Sequence, residues 1–475
     1  MAITVGDAVV YFGDCRDVLK TLPNNSVDSV VTDPPYELGF MGKKWDSTGI
    51  AYDVTVWQEC LRVLKPGGHI LAFGGSRTWH RLAVAIEDAG FELRDSIAWL
   101  YGSGFPKSMD VSKAIDKRGG SGALLTKQIG EALRVARESR GISKSKADEI
   151  FCDGTTNWSW FEGRPAGQRP PTPETFARIV AEWPELADLS EKVAEAEREV
   201  IGLGAAQCSQ LEKTGICDGH FDNGTLTVKH QLATKSATPE AEKWQGWGTA
   251  LKPAFEPIVV GRKPLIGTVA ENVLEWGVGG LNIDGSRIAG GERPLILSNN
   301  EKSANAFGDG LNGSKHGGTF NQGRWPANVI LDEHTAELLD QQSGIGDTGG
   351  ASRFFYVAKA SKRDRNEGLD ELEAVKAGSM TGAEYREGKP TNHPMRQNFH
   401  PTVKPTQLMR YLIKLVTPPG GTVLDPFTGS GSTGKAALLD GYKFIGAELT
   451  EEYLPIIEGR LKWAVENRVD DETLF

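Results

Sequence analysis

The chain has 475 residues, 39% of them hydrophobic and 24% charged, with a formal net charge of −10. That size predicts about two to four domains, the acidic balance excludes a protein that holds nucleic acid through bulk positive charge, and no apolar run approaches the ~18–20 residues of a membrane span. Five scattered cysteines give no disulfide framework, and the opening "MAITVGDAVVYFGDCRD" lacks the basic-then-apolar layout of a secretory leader, so a cytoplasmic protein is expected.

Residues 7–12, "DAVVYF", predict a buried strand, followed by Gly13-Asp14 and a short helix, "RDVLKTLP". "SVDSVVT" is a second strand ending at Asp33, and "VTVWQECLRVLKPGG" a helix with a Pro-Gly-Gly stop. "HILAFGG" is a third strand, "WHRLAVAIEDAGF" a helix and "ELRDSIAWLY" a fourth strand. Strands alternating with helices predict a layered α/β fold with a mainly parallel sheet.

The alternation stops near residue 105, and residues 121–195 read as short helices. "LLTKQIGEALRVARESRG" ends at Gly141, "SKSKADEIF" starts from a Ser143 cap, "GTTNWSWFEGR" holds a third helix, and "RPPTPETFARIVAEWPEL" a fourth. The tight turn between the second and third suits a helix-turn-helix. With "WFEG" at 160–163 the stretch resembles the small DNA-binding domain of phage-repressor type, which would place Asn157 and Trp160 toward DNA. The alternative is an insertion that only packs on its host. Residues 196–250 are a loop-rich linker, 251–265 contain a strand returning to the sheet ("EPIVVGRKPL"), and 266–390 are variable. Within the last, "SRFFYVAKASKRDR" gathers Arg353, Lys359, Lys362, Arg363 and Arg365, a local basic surface or a solvated face. Residues 391–475 return to order: a helix (406–416), a strand (422–425), a Gly-rich turn, a helix (433–440), a strand (442–447) and a last helix.

Two stretches carry chemistry. "GSGSTG", 429–434, follows a strand and opens a helix, and Glu448 ends the next strand. Glycines let a ligand approach the backbone, and an acid at that place accepts from ribose hydroxyls, so a nucleoside cofactor is expected. "TDPPY", 32–36, ends a strand in an acid, two prolines and an aromatic ring; alone it would be a turn. Cys208, Cys217, His220 and His230 contain no C-x-x-C pair, and no metal is expected.

"LDPFTGSGSTG" together with "TDPPY", "YFGDCRDVLKTLP", "CLRVLKPGG", "HPTVKP" and "GAELTEEY" resembles the amino-group DNA methyltransferases, which methylate adenine N6 or cytosine N4 from S-adenosylmethionine. The resemblance covers most of residues 1–105 and 400–461, and the catalytic motif precedes the cofactor loop, the β-class order. It implies a Rossmann-like sheet closed from both halves of the chain: a catalytic half over 1–120, a target-recognition region over 266–390 and a cofactor half over 391–475. It implies Asp14 near the cofactor adenine, Glu448 on the ribose, Asp425, Phe427, Gly429, Gly431 and Thr433 along the cofactor, and His400, Thr402 and Lys404 near its methionine end. Lys107, in "IAWLYGSGFPKS", would approach the DNA.

The same resemblance gives "TDPPY" a task. An exocyclic ring amine is a poor nucleophile because its lone pair is delocalised. Asp33 and the Pro34 carbonyl, fixed by the prolines Pro34 and Pro35, would accept its two N–H bonds while Tyr36 stacks on a base turned out of the duplex. An aspartate heading the motif is commoner in adenine enzymes of this family and a serine in cytosine-N4 enzymes, so N6-adenine methylation is expected, with cytosine N4 the alternative. A DNA-binding regulator that keeps an inactive methyltransferase fold, and a nicotinamide dehydrogenase resting on the glycines alone, are the competing classes. A restriction partner and a phage or prophage setting are both compatible.

Overall fold

The computed structural model describes residues 1–39, 44–102, 104, 108–117, 121–152, 157–163, 170–196, 200–203, 220–222, 225–227, 232–234, 239–289, 293–297, 315–320, 322–346, 349–358, 363–376 and 395–468. The chain forms two units, Met1–Gly102 with Ala254–Phe475, and Ser103–Pro253.

The first unit is built on a ten-stranded sheet. In chain order its strands are β1 (Ala2–Val5), β2 (Ala8–Phe12), β3 (Val27–Thr32), β4 (Leu64–Phe73), β5 (Glu92–Leu100), β6 (Phe255–Arg262), β7 (Val329–Asp332), β8 (Tyr356–Ala358), β9 (Thr422–Asp425) and β10 (Lys443–Glu448). Across the sheet they lie β1-β2-β10-β9-β3-β4-β6-β5-β7-β8. β6 runs antiparallel to both β4 and β5, and β1 antiparallel to β2. The other neighbours are parallel. The two ends of the sequence close on each other where Val423 and Leu424 of β9 pair with Ser29 and Val30 of β3. This is the layered, mainly parallel α/β sheet that the alternating pattern predicts, closed from both halves of the chain in the Rossmann-like form that the resemblance implies.

β3 shows why. All six of its residues are buried, as expected for a parallel strand covered on both faces. Val31 packs into the apolar cluster on one side and Val30 into that on the other. Its polar residues are all engaged: Asp28 accepts from Lys65 Nζ (2.6 Å) and from the Thr422 amide at the start of β9 (2.7 Å), and Ser29 meets Thr417 Oγ1 at 2.8 Å. Helices α1 (Cys15–Thr21), α2 (Val54–Val63) and α3 (Trp79–Asp88) link the early strands.

The sequence reads Pro66-Gly67-Gly68 as a helix stop. The helix does end at Val63, but β4 begins at once and runs through the three residues, with a register slip between Val27 and Ser29 of its partner. Gly67 has φ +77°, and a Cβ there would meet Asn272 Nδ2 at 2.4 Å. The buried Asn272 amide occupies that space to bond the carbonyls of Pro66 and Val278.

In the second unit, helices α5 (Ser121–Ser139), α6 (Lys144–Phe151), α7 (Trp158–Glu162) and α8 (Pro173–Glu182) are the four of the predicted run, and α4 (Val111–Lys117) before them and α9 (Ser190–Ala196) after them are additional. Ser143 caps α6 and Asn157 caps α7. Trp158, Phe151, Phe176 and Trp183 form the core, with Trp160 packed partly against it. Glu162 of the "WFEG" stretch points inward: it accepts from Arg137, from Trp158 Nε1 (2.6 Å) and from Lys144 Nζ (3.0 Å). Where the sequence suggests only loop, Val200–Leu203 pairs with Leu232–Thr234 and His220–Asp222 with Thr225–Thr227. Cys208, Cys217 and His230 lie outside the described residues.

One consequence of burial is measurable. His69 of β4 is 4% exposed, and burial, helped by the charges of Arg262 and Arg94, lowers its pKa to about 4. An unfolded histidine titrates near 6.5, so between those values the unfolded state binds more protons and stability falls with acid. About 2 kcal/mol of stability should disappear from pH 7 to pH 5 through this residue. Melting curves of wild type and His69→Leu at the two pH values should differ by that slope; parallel pH dependence would contradict the assignment.

Candidate active site

Open α/β sheets bind ligands at the carboxyl edge of their parallel strands. Glu448 ends β10 and Asp425 ends β9, and Asp33 follows directly on the last residue of β3. β6 is reversed, so its first residues reach the same edge: Glu256 pairs with Trp99 and Ile258 with Phe73, near the ends of β5 and β4. One line of strand tips thus carries four carboxylates from distant parts of the chain.

Between β9 and helix α13 of this unit (Ser432–Leu439; α10, Val269–Trp276, α11, Glu333–Ser343, and α12, Thr406–Val416, precede it) lies the glycine loop. Gly429 and Gly431 have φ of +55° and +76°, conformations that glycine adopts without strain. A Cβ on Gly429 would sit 3.1 Å from His400 Nε2. Glu448 fixes the loop: one carboxylate oxygen accepts from the Gly429 amide (2.7 Å), the other from the Thr450 amide (2.8 Å). Burial raises its pKa, and those two amides oppose the rise. The third glycine of the motif, Gly434, lets α13 approach β10, because a Cβ there would meet the Phe444 ring at 2.7 Å and Leu461 at 2.8 Å. Asp425 is almost wholly buried and accepts from Thr32 Oγ1 (2.7 Å), Thr433 Oγ1 (2.6 Å) and the Phe427 amide (3.0 Å). Burial lifts its pKa to about 6 against those three bonds.

The "DPPY" turn is braced from behind. Glu37, right after the motif, holds φ +55°, and its amide and that of Leu38 donate to the buried Asp46 (3.0 and 3.3 Å). The Glu37 carboxylate in turn accepts from the Gly49 amide (2.8 Å). Thr78 Oγ1 donates to the Tyr36 carbonyl (2.9 Å). At the front, Lys404 Nζ donates to Asp33 Oδ2 at 2.6 Å, lies 3.2 Å from the Tyr36 hydroxyl and 3.4 Å from Glu256 Oε2. Tyr36 donates to Glu256 Oε2 (2.8 Å). Asp33 Oδ1 is buried and has no hydrogen-bond partner among the described residues.

The structure places the other predicted residues as follows. Gly13 donates its amide to the Glu448 carbonyl (2.9 Å), and Asp14 caps α1, where Arg16 binds it at 2.6 Å. His400 is buried, bonds the Thr402 carbonyl through Nδ1, and meets the Tyr453 ring edge-on at 4.6 Å; burial takes its pKa down to about 4. Thr402 is exposed, and Phe427 is partly buried, 6.1 Å from the Trp57 ring. Of the basic stretch, Arg353 bonds the Gly350 carbonyl (2.7 Å) and Arg365 those of Asn398 and His400. The Arg363 side chain is exposed. Lys107, Lys359 and Lys362 lie outside the described residues.

Several residues of the site carry no sequence signal. Lys435, fully buried on α13, is held by Asp364 (2.6 Å) and Glu367 (2.8 Å). Arg460, fully buried on α14 (Leu454–Glu466), donates to the Ser430 carbonyl (2.8 Å) and Ser432 Oγ (3.0 Å), bracing the glycine loop from below. Glu256 stands out only as an acid leading an apolar run.

A family model described as DNA methylase, of the N6/N4 methyltransferase type, matches residues 27–116 and 226–459, more than half of the chain. The chain belongs to this family. Among curated proteins it is similar to the type II methyltransferase M.HinfI of Haemophilus influenzae, 30% identical over 106 residues, covering 18% of this chain and 30% of that protein. It is also similar to the DNA adenine methyltransferase YhdJ of Escherichia coli (strain K12), 49% identical over 55 residues, covering 12% of this chain and 19% of that protein. The chain thus spans less than a third of the length of these relatives. A solved structure, the PvuII DNA methyltransferase (cytosine-N4-specific), aligns over 96% of this chain and 87% of its own at 13% identity with a TM-score of 0.38. The family's methyl donor is S-adenosylmethionine, and the site fits it. Gly429 leaves open a cradle that a Cβ would fill, Glu448 stands at the adjacent strand tip, and Asp33 Oδ1 is a buried acceptor in want of a donor.

Proposed function

We propose that the protein is a site-specific DNA methyltransferase that transfers a methyl group from S-adenosylmethionine to adenine N6, acting on a base turned out of the duplex. Support comes first from Asp33: a half-buried carboxylate with one oxygen held by Lys404 and the other, Oδ1, buried and without a partner among the described residues, beside a glycine loop of nucleoside-binding form. Phe427, Gly429, Gly431 and Glu448 hold the cofactor, Glu448 toward the ribose hydroxyls, with Asp14 toward the adenine and His400, Thr402 and Thr433 lining the remainder. When bound, the cofactor supplies an electrophilic methyl on a sulfonium.

Asp33 Oδ1 and the Pro34 carbonyl accept the two N–H bonds of the target amine, drawing its lone pair out of the ring. Tyr36 stacks on the base; such stacking contributes about 1–3 kcal/mol. The amine nitrogen, its lone pair freed by these two acceptors, would take the methyl group that the bound cofactor would supply. The nitrogen then carries positive charge until a proton leaves, and Asp33 stands where it receives that proton. Positioning and electrostatics do most of the work. Target recognition falls to residues 266–390 and to the helical unit.

Adenine rather than cytosine is favoured by the aspartate heading the motif and by the naming of YhdJ as an adenine methyltransferase. Modified-base sequencing of DNA from cells expressing the protein should find N6-methyladenine at one recurring sequence. N4-methylcytosine there would select the alternative base, and unmodified DNA would sink the reading.

A further inference from the structure

The pocket around Asp33 holds a second carboxylate and a buried ammonium. Lys404 is buried, its side chain 8% exposed, yet its ammonium lies against two carboxylates, Asp33 at 2.6 Å and Glu256 at 3.4 Å. Two aromatic rings flank it, Phe73 with its centroid 4.8 Å from Nζ and Tyr36 at 5.3 Å. Burial works against the charged lysine, and Asp33 and Glu256 outweigh it, so its pKa stands above the ordinary lysine value. The ammonium has three N–H bonds and three acceptors, Asp33 Oδ2, Glu256 Oε2 and the Tyr36 hydroxyl, so its donors are fully used.

The three parts of this cluster come from separate segments: Asp33 follows β3, Glu256 opens the reversed strand β6, and Lys404 precedes α12. A lysine paired with Asp33 alone would leave the pocket neutral. With Glu256 added, two carboxylates face one ammonium, and the net charge is −1. That sign suits a reaction in which a neutral amine becomes cationic as it takes the methyl group.

We propose that Lys404 and Glu256 are positioning residues of the amine pocket. Lys404 holds Asp33 by Oδ2 so that Oδ1 alone faces the target amine, and Glu256 anchors both Lys404 and the Tyr36 hydroxyl while keeping the pocket anionic. The inference rests on the methyltransferase reading above. Lys404 thereby acts on the base-side acid, in contrast to the cofactor side suggested by its place in "HPTVKP". Other titratable groups share the pocket: Asp425 and His400 sense Asp33, and Tyr101 senses Glu256 and Lys404. All three are unchanged in the variants below.

The test uses the full chain with Glu256→Gln, Lys404→Met and the double variant. Glu256→Gln keeps shape and an acceptor for Tyr36 but removes one charge; kcat should fall by at least about tenfold, with S-adenosylmethionine binding by calorimetry unchanged. Lys404→Met leaves Asp33 and Glu256 facing each other without a cation, so the acid limb of kcat should move to higher pH. The double variant restores a net charge of −1, and its acid limb should return toward the wild-type position. Independently of turnover, acetylation of Lys404 by an N-hydroxysuccinimide ester, read by peptide mass spectrometry, should be slow in wild type and faster in Glu256→Gln. Superimposable pH profiles in wild type and Lys404→Met, or equal acetylation in wild type and Glu256→Gln, would overturn the inference. Absence of methyl transfer by the wild type would instead remove the methyltransferase reading, and the acetylation result would still decide whether Glu256 holds Lys404.

Discussion

Asp33→Ala should abolish methyl transfer while leaving S-adenosylmethionine binding almost intact. The residue contributes the single buried acceptor atom at the strand tips that lacks a partner among the described residues, and its hydrogen bond goes to Lys404, outside the glycine loop. Removing one preorganised group aimed at developing charge costs about 10²–10³-fold in kcat. The loss here should be at least that large, because the variant also deprives Lys404 of its nearest carboxylate and leaves Glu256 as its remaining anion. Asp33→Asn separates the two effects: it keeps the shape of the pocket but presents either an amide N–H to Lys404 or an amide N–H to the target amine, each a donor facing a donor. Calorimetric titration of the cofactor, alongside transfer assays, checks both variants. Full activity in Asp33→Ala would refute the mechanism.

The second large effect is expected at the opposite end of the site. Gly429→Val should eliminate cofactor binding and with it all turnover. The backbone there has φ +55°, a region that a β-branched residue avoids, and the first side-chain carbon would already lie 3.1 Å from the imidazole of His400. His400 has little room to retreat, since its ring is bonded to the Thr402 carbonyl and packed against Tyr453. The loop would have to shift and break the Gly429 amide bond to Glu448. Titration should then show no binding, while circular dichroism shows the sheet still folded; a variant that binds the cofactor as wild type does would contradict the role given to the loop.

The two motifs are legible in the sequence because each is local. Strand, acid and proline corner occur within residues 27–36, and strand, glycines and helix within 422–439. The meeting of the two is legible only through the resemblance, since nothing in the residues says that Val423 pairs with Ser29. Glu256 is the clearest omission. Its strand is identifiable from "EPIVVGR", but its direction is not, and only the antiparallel insertion of β6 between β4 and β5 brings the first residues of that strand to the active edge. Lys435 and Arg460 fail for a related reason: a charge on an amphipathic helix reads as solvent-facing until its partners, Asp364 and Ser430, arrive from distant segments. The short strands Val329–Asp332 and Tyr356–Ala358, at one end of the sheet, offer too few residues for a period-two pattern to stand out. Arg353 and Arg365 look like a basic surface in the sequence, yet both turn their guanidinium groups onto backbone carbonyls.

The central claim, that Asp33 activates an amino group of DNA for methylation, is tested most directly by incubating the protein with methyl-labelled S-adenosylmethionine and mixed-sequence DNA, then digesting the DNA to nucleosides. Label should appear in N6-methyldeoxyadenosine with wild type and not with Asp33→Ala. Label absent from the nucleosides with a folded, cofactor-binding wild-type protein would contradict it.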